Sequence, residues 1–222
     1  TNMDDLETPG IRDKIMAKAI YMDGSTLKSS LSPKAYETAE KALGELQSVG
    51  LSLKILNGFE PWFVAISIVG LKLHQLGFDP ANGVDRYFFN KAKTAAMALH
   101  ALETNDFQIN LLSSMSKINQ ELMLLQTLRD LEITEELFVD IYEAWEVGDT
   151  ARLNQLLTES FKEYPAVYDT LIIARNQNWL PQIEIYLEQD ENYLVVVGAG
   201  HLVGGQSVVR MLQVKGYSVQ QQ

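Results

Sequence analysis

The chain has 222 residues, 46% of them hydrophobic, with 29 acidic against 18 basic side chains and a formal net charge of −11. A phosphate backbone needs a concentrated basic surface, so this balance excludes a nucleic-acid role. The length fits one large domain or two small ones, with a substantial core. With no cysteine present, thiolate zinc sites, disulfides and thiol catalysis drop out, while the compartment stays open.

Ile11, Ile15, Met16, Ala19 and Ile20 make a helical stripe over Gly10 to Met22, which a turn at Asp23-Gly24-Ser25 closes. Ser32-Pro33 carries the N-cap and first-turn proline pattern of a helix running to about Val49. The apolar run Trp62 to Leu73 falls well short of the roughly 20 residues needed to span a bilayer. It reads as a core helix that starts at Pro61 and ends near Gly77. After a turn at Asp79 to Gly83 comes a helix from about Val84 to Thr94. Met97 to Leu102 is short and apolar and reads as a buried strand, and Thr104 caps a further helix with Phe107 and Gln108 in its first turn. Amphipathic helices follow to Gln189, with breaks near Ser113 to Ser116, Gly148-Asp149 and Tyr164-Pro165. Tyr193 to Val197 are consecutive apolar residues ahead of glycines, the pattern of a strand buried on both faces. Gln206 to Val214 reads as the last helix.

The expected architecture is therefore α/β, of an α+β kind: a single domain over residues 1–222, predominantly helical around a small central β-sheet. No internal repeat is evident. The charged and apolar regions of a signal peptide are missing at Thr1, and no initiating Met is present, so any address segment would lie outside this chain.

The glycine turn after the last strand, Gly198-Ala199-Gly200-His201, is where open α/β sheets place ligands. A dinucleotide fingerprint would need an acidic residue about 20 positions on, and no Asp or Glu follows Gly200. Read instead as a Gly-x-x-His turn, it offers His201 as a ligand for a divalent ion or as an acid/base near neutral pH. The competing reading is a histidine that caps the next helix. Glu103 follows the shorter strand at a helix start, where a carboxylate is favoured either as an ordinary first-turn residue or as a site group. His74 and His100 read as packed or surface residues, and Asp85 with Arg86 as a cap and a surface charge. Arg175-Asn176 beside Trp179 could hold a carboxylate or phosphate bidentately, or Arg175 could pair with one of the surplus acids. There is no Gly-x-Ser-x-Gly elbow, no His-Glu-x-x-His helix and no phosphate loop.

Several blocks together resemble the TraB/GumN family, which includes pheromone-shutdown proteins and the Wnt-inactivating membrane metalloproteases of animals. They are Val197 to Leu202 with Gly216-Tyr217, Gly83-Val84-Asp85-Arg86-Tyr87, Leu102-Glu103-Thr104 with Gln108, Ala144-Trp145 with Gly148-Asp149, and Arg175-Asn176 with Trp179. Asp23 to Leu27 and Pro61-Trp62 complete the series. The resemblance implies a metal-dependent hydrolase, peptidase-like, built on two Gly-x-x-His motifs and a glutamate. His201 matches the second motif and Glu103 is the best match to the glutamate, which makes these two the implied ligands for Mn, Co or Zn. Arg175 and Asn176 would stabilise substrate or developing negative charge, and Gly198, Gly200 and Asp85 would contact a peptide or small-molecule substrate. The first motif, Gly-Thr-x-His on an early strand, has no match here. The resemblance thus implies an N-terminally incomplete domain, inactive by itself, with an unpaired sheet edge that a homodimer could cover. It also implies the bacterial envelope or periplasm as the location, with the cytoplasm open. The alternatives are a non-catalytic ligand- or peptide-binding regulatory protein of the envelope, and a helical interaction module.

Overall fold

Local punctuation cuts this chain into helices. The computed structural model describes residues 3–6, 8–45, 53–132, 134–159 and 161–222. About 68% of it is helical, and it divides into two units, Thr1–Ile133 and Thr134–Gln222.

The first unit contains α1 (Met3–Leu6), α2 (Pro9–Ala19), α3 (Leu27–Ser30), α4 (Pro33–Glu45), α5 (Leu53–Leu56), α6 (Pro61–Gln75), α7 (Val84–Thr94), α8 (Asn105–Ser113) and α9 (Lys117–Glu132). Prolines open α2, α4 and α6, where a missing N–H costs no intrahelical bond. Thr26 and Ser29 form a reciprocal capping box on α3, and Thr104 Oγ1 accepts from Phe107 N at 3.0 Å at the start of α8. The tail of the expected helix beyond Glu45 lies outside the described residues.

Helix α9 packs against both α6 and α4. The buried residues include Trp62, Val64, Ala65 and Ile68 on α6, Ala35, Ala39 and Leu43 on α4, and Leu124 and Leu128 on α9. Each large apolar side chain so buried contributes about 1.5–3 kcal/mol. Buried Gln120 joins the elements: its Oε1 accepts from Trp62 N at 3.4 Å and its Nε2 donates to Met115 O at 3.1 Å. One orphan N–H at the start of α6 is thereby satisfied inside the core.

The second unit contains α10 (Thr134–Glu146), α11 (Thr150–Glu159), α12 (Pro165–Tyr168), a π-helical turn (Asp169–Ile173), α13 (Ala174–Leu187), a 3-10 turn (Ala199–His201) and α14 (Val208–Val214). Helices α10 and α11 pack as a hairpin, with Gly148 at φ +70° and Asp149 Oδ1 accepting from Arg152 N at 2.9 Å. Ala144, Leu153, Leu156 and Val203 form the core of this part, and α13 packs on α14.

The expected central β-sheet is not found among the described residues, and the α/β reading is corrected to all-α. Among the described residues the β-type pairing is one antiparallel bridge, Ile20 with Phe59. Met97 donates its N–H back to Ala92 O, with Ala96 at φ +52°, so the head of the first expected strand is spent terminating α7. Tyr193 to Val197 takes no regular secondary structure and has no neighbouring strand among the described residues, and Leu194 is 69% exposed. An apolar run becomes a strand only where another segment takes its N–H and C=O groups. No helix among the described residues is long and apolar enough to cross a membrane.

Candidate functional site

The helix spacing Leu171, Arg175, Trp179, with Asn176 adjacent, places a polar and aromatic cluster on one face of the π-turn and α13. The π-turn adds a residue to the helical register just ahead of this cluster: Ala174 N donates to Asp169 O. Arg175 Nη1 donates to Leu171 O at 3.2 Å, and the guanidinium carbon lies 4.9 Å from the centroid of the Trp179 ring. Trp179 is buried and Asn176 is fully so.

His201 is brought to this face by the 3-10 turn, where His201 N donates to Gly198 O at 2.9 Å. The imidazole is 6% exposed and its ring centroid stands 4.4 Å from that of Trp179. Nδ1 lies 2.7 Å from Asn176 Oδ1 and Nε2 lies 3.4 Å from Arg175 Nη1. Asn176 Nδ2 in turn donates to Gln206 O at 2.8 Å. His201 is not the side-chain cap of α14, because buried Ser207 fills that place and accepts from Arg210 N at 3.1 Å. His201, Arg175 and Asn176 therefore come together, with Trp179 as their floor.

The turn glycines hold a surprise. Gly198 has an ordinary φ of −59°, and a Cβ there would meet His201 Cδ2 at 3.8 Å, while a Cβ on Gly200 would meet Ile172 at 3.7 Å and Leu157 at 3.8 Å, normal contact distances. Gly204 is the demanding one, at φ +88° with a hypothetical Cβ 2.3 Å from Asn154 Oδ1. Gly204 is thus the glycine of this run that the backbone requires. Gln206, whose carbonyl anchors Asn176, carried no sequence signal, because a backbone acceptor has none.

Glu103 and Asp85 belong to the first unit. Glu103 is 6% exposed and accepts from Gln108 Nε2 at 3.0 Å. It lines an open groove with Thr8, Lys14, Thr104, Asn105 and Asp106, where Lys14 Nζ and Asp106 Oδ1 pair at 2.7 Å. Asp85 is exposed in the first turn of α7, where its Oδ1 accepts from Arg86 N at 2.8 Å; it is not the expected cap, because Gly83 holds the N-cap position without a side-chain bond. His74 and His100 are both exposed.

Among the described residues, no group of three or more His, Cys, Asp or Glu side chains is placed to hold a metal ion. Nε2 of His201 is faced by a guanidinium, and a single imidazole falls short of the three protein ligands usual for a catalytic metal. The donor set present thus does not fit the implied ion.

A stretch of 76 residues, 33% of this chain, is 36% identical to a protein of Amphimedon queenslandica named a metalloprotease TIKI homolog, of whose length the match spans 13%. No solved structure matches the chain. The model of the TraB/PrgY/gumN family matches residues 1–221, and the chain belongs to that family.

Proposed function

We propose that this chain contributes the His201 half of a hydrolytic site, peptidase-like in its substrate class, and does not catalyse by itself. The observation that carries the reading is the pairing of a buried imidazole with a guanidinium 3.4 Å away. A base and a fixed cation side by side are what attack on a carbonyl needs. The imidazole takes a proton from water as the nucleophile forms, and the guanidinium receives the charge that develops on oxygen. Trp179 supports both, beneath the guanidinium and against the imidazole. The relative named a metalloprotease supports a peptidase-like class, while the donors among the described residues do not make up a metal site.

The test is peptide cleavage by the full-length natural polypeptide, with and without chelator, beside cleavage by this chain. His201→Ala and Arg175→Ala should each abolish cleavage by the full-length polypeptide, and this chain should show none. Cleavage that persists in both variants would overturn the reading. It would favour a binding role, in which Arg175 stacked on Trp179 grips a ligand carboxylate.

A further inference from the structure

The hydrogen bonds around His201 run in one direction, and that direction settles which ring nitrogen is reactive. Gln206 O is a backbone carbonyl and can only accept, so the group that meets it at 2.8 Å must be the NH2 of Asn176. Turning the amide over would set two carbonyl oxygens against each other. The other end of the amide, its oxygen, therefore faces His201 Nδ1 at 2.7 Å, and Nδ1 must carry the proton. The far side of the ring gives the same answer independently. A guanidinium has donors and no acceptor, so the nitrogen facing Arg175 Nη1 at 3.4 Å is the one with the lone pair. Donors thus point from Arg175 to His201, from His201 to Asn176, and from Asn176 to Gln206 O.

We propose that Asn176 is a positioning residue that locks His201 in its Nδ1–H tautomer, leaving Nε2 as the lone pair offered beside Arg175. Free histidine has no such bias imposed on it, and the two ring nitrogens differ in use only when a partner chooses between them. Asn176 is suited to the task because it is fully buried and held at both ends of its amide, while the Trp179 ring restrains the imidazole from the side. An acid at this position would accept from Nδ1 equally well but could not donate to Gln206 O. An amide does both and adds no charge to a buried cluster. The tautomer follows from the donor and acceptor inventory alone. Only its use in hydrolysis rests on the proposed function.

The experiment is a long-range proton–nitrogen correlation spectrum of the chain labelled with 15N at histidine. It is recorded without metal or substrate, at a pH where the ring is neutral, and His201→Gln identifies the resonances. Nδ1 should show a protonated, pyrrole-type signal and Nε2 an unprotonated, pyridine-type one. Asn176→Leu should collapse that separation toward the exchange-averaged positions of free histidine, and Asn176→Asp, which keeps the acceptor, should preserve it. An Nε2–H tautomer in the parent chain, or an unchanged spectrum in Asn176→Leu, overturns the proposal. If Asn176→Leu fails to fold, the parent spectrum and Asn176→Asp still decide. Loss of cleavage by the full-length polypeptide is a separate readout, so failure of the hydrolytic reading leaves the tautomer result standing.

Discussion

Asn176→Ala removes one fully buried amide and strands a group at each end of it. His201 Nδ1–H loses its acceptor inside a cluster where the ring is 6% exposed, so water cannot replace the bond. A buried donor left unsatisfied costs about 1–3 kcal/mol. Gln206 O also loses its donor, but Gln206 is an exposed residue and its carbonyl can recover a water, so its share is about 1 kcal/mol. The expected destabilisation is about 2–4 kcal/mol, a large part of the roughly 5–15 kcal/mol that holds a typical domain folded. With a urea dependence of about 2 kcal/mol per M, the unfolding midpoint should fall by about 1–2 M. Equilibrium unfolding followed by far-UV circular dichroism measures this. Amide exchange at His201, whose N–H is bonded to Gly198 O at 2.9 Å, reports whether the loss is local to the turn. A change within about 0.5 kcal/mol of the parent, the range of an ordinary surface substitution, would refute the bonding scheme around Asn176.

Three further outcomes follow from other contacts. Gly204→Ala should destabilise by about 1–2 kcal/mol because its backbone is left-handed, whereas Gly200→Ala, with room for a methyl, should shift thermal stability little. Burial raises the Asp130 carboxyl to about 6 against the pull of a Gln126 hydrogen bond and the Arg129 charge. The native state therefore holds a proton that the unfolded chain releases above its ordinary pKa of 3.8, so stability falls as pH rises from about 4 to 6. Because the group is only half-buried, Asp130→Asn should gain about 1 kcal/mol at pH 7 and nothing at pH 3 in parallel denaturant titrations. Glu121→Ala frees the Ser32 N–H and hydroxyl, held at 2.6 and 2.7 Å, and should cost about 1 kcal/mol with a visible lowering of the melting temperature.

Helix positions were the legible part of this sequence, because their signals are local. Pro61, Ser32-Pro33, Thr104 and Gly148 each act on backbone groups within a few residues, and the structure places helix starts or turns at all of them. The sheet was misread for the converse reason. Tyr193 to Val197 has the composition of a buried strand, yet a strand is a relation between two segments, and no second segment stands beside it among the described residues.

The site divides along the same line. The spacing of Arg175, Asn176 and Trp179 puts them on one helical face whatever the rest of the chain does, and the run Gly198 to His201 marks a turn by itself. That His201 reaches Asn176 and that Gln206 O anchors the amide depend on contacts between groups about 25–30 positions apart. Sequence determined which chemical groups were available and which face of a helix would present them. Only the tertiary fold decided which nitrogen of His201 keeps its proton, since that is set by what lies opposite each end of the ring.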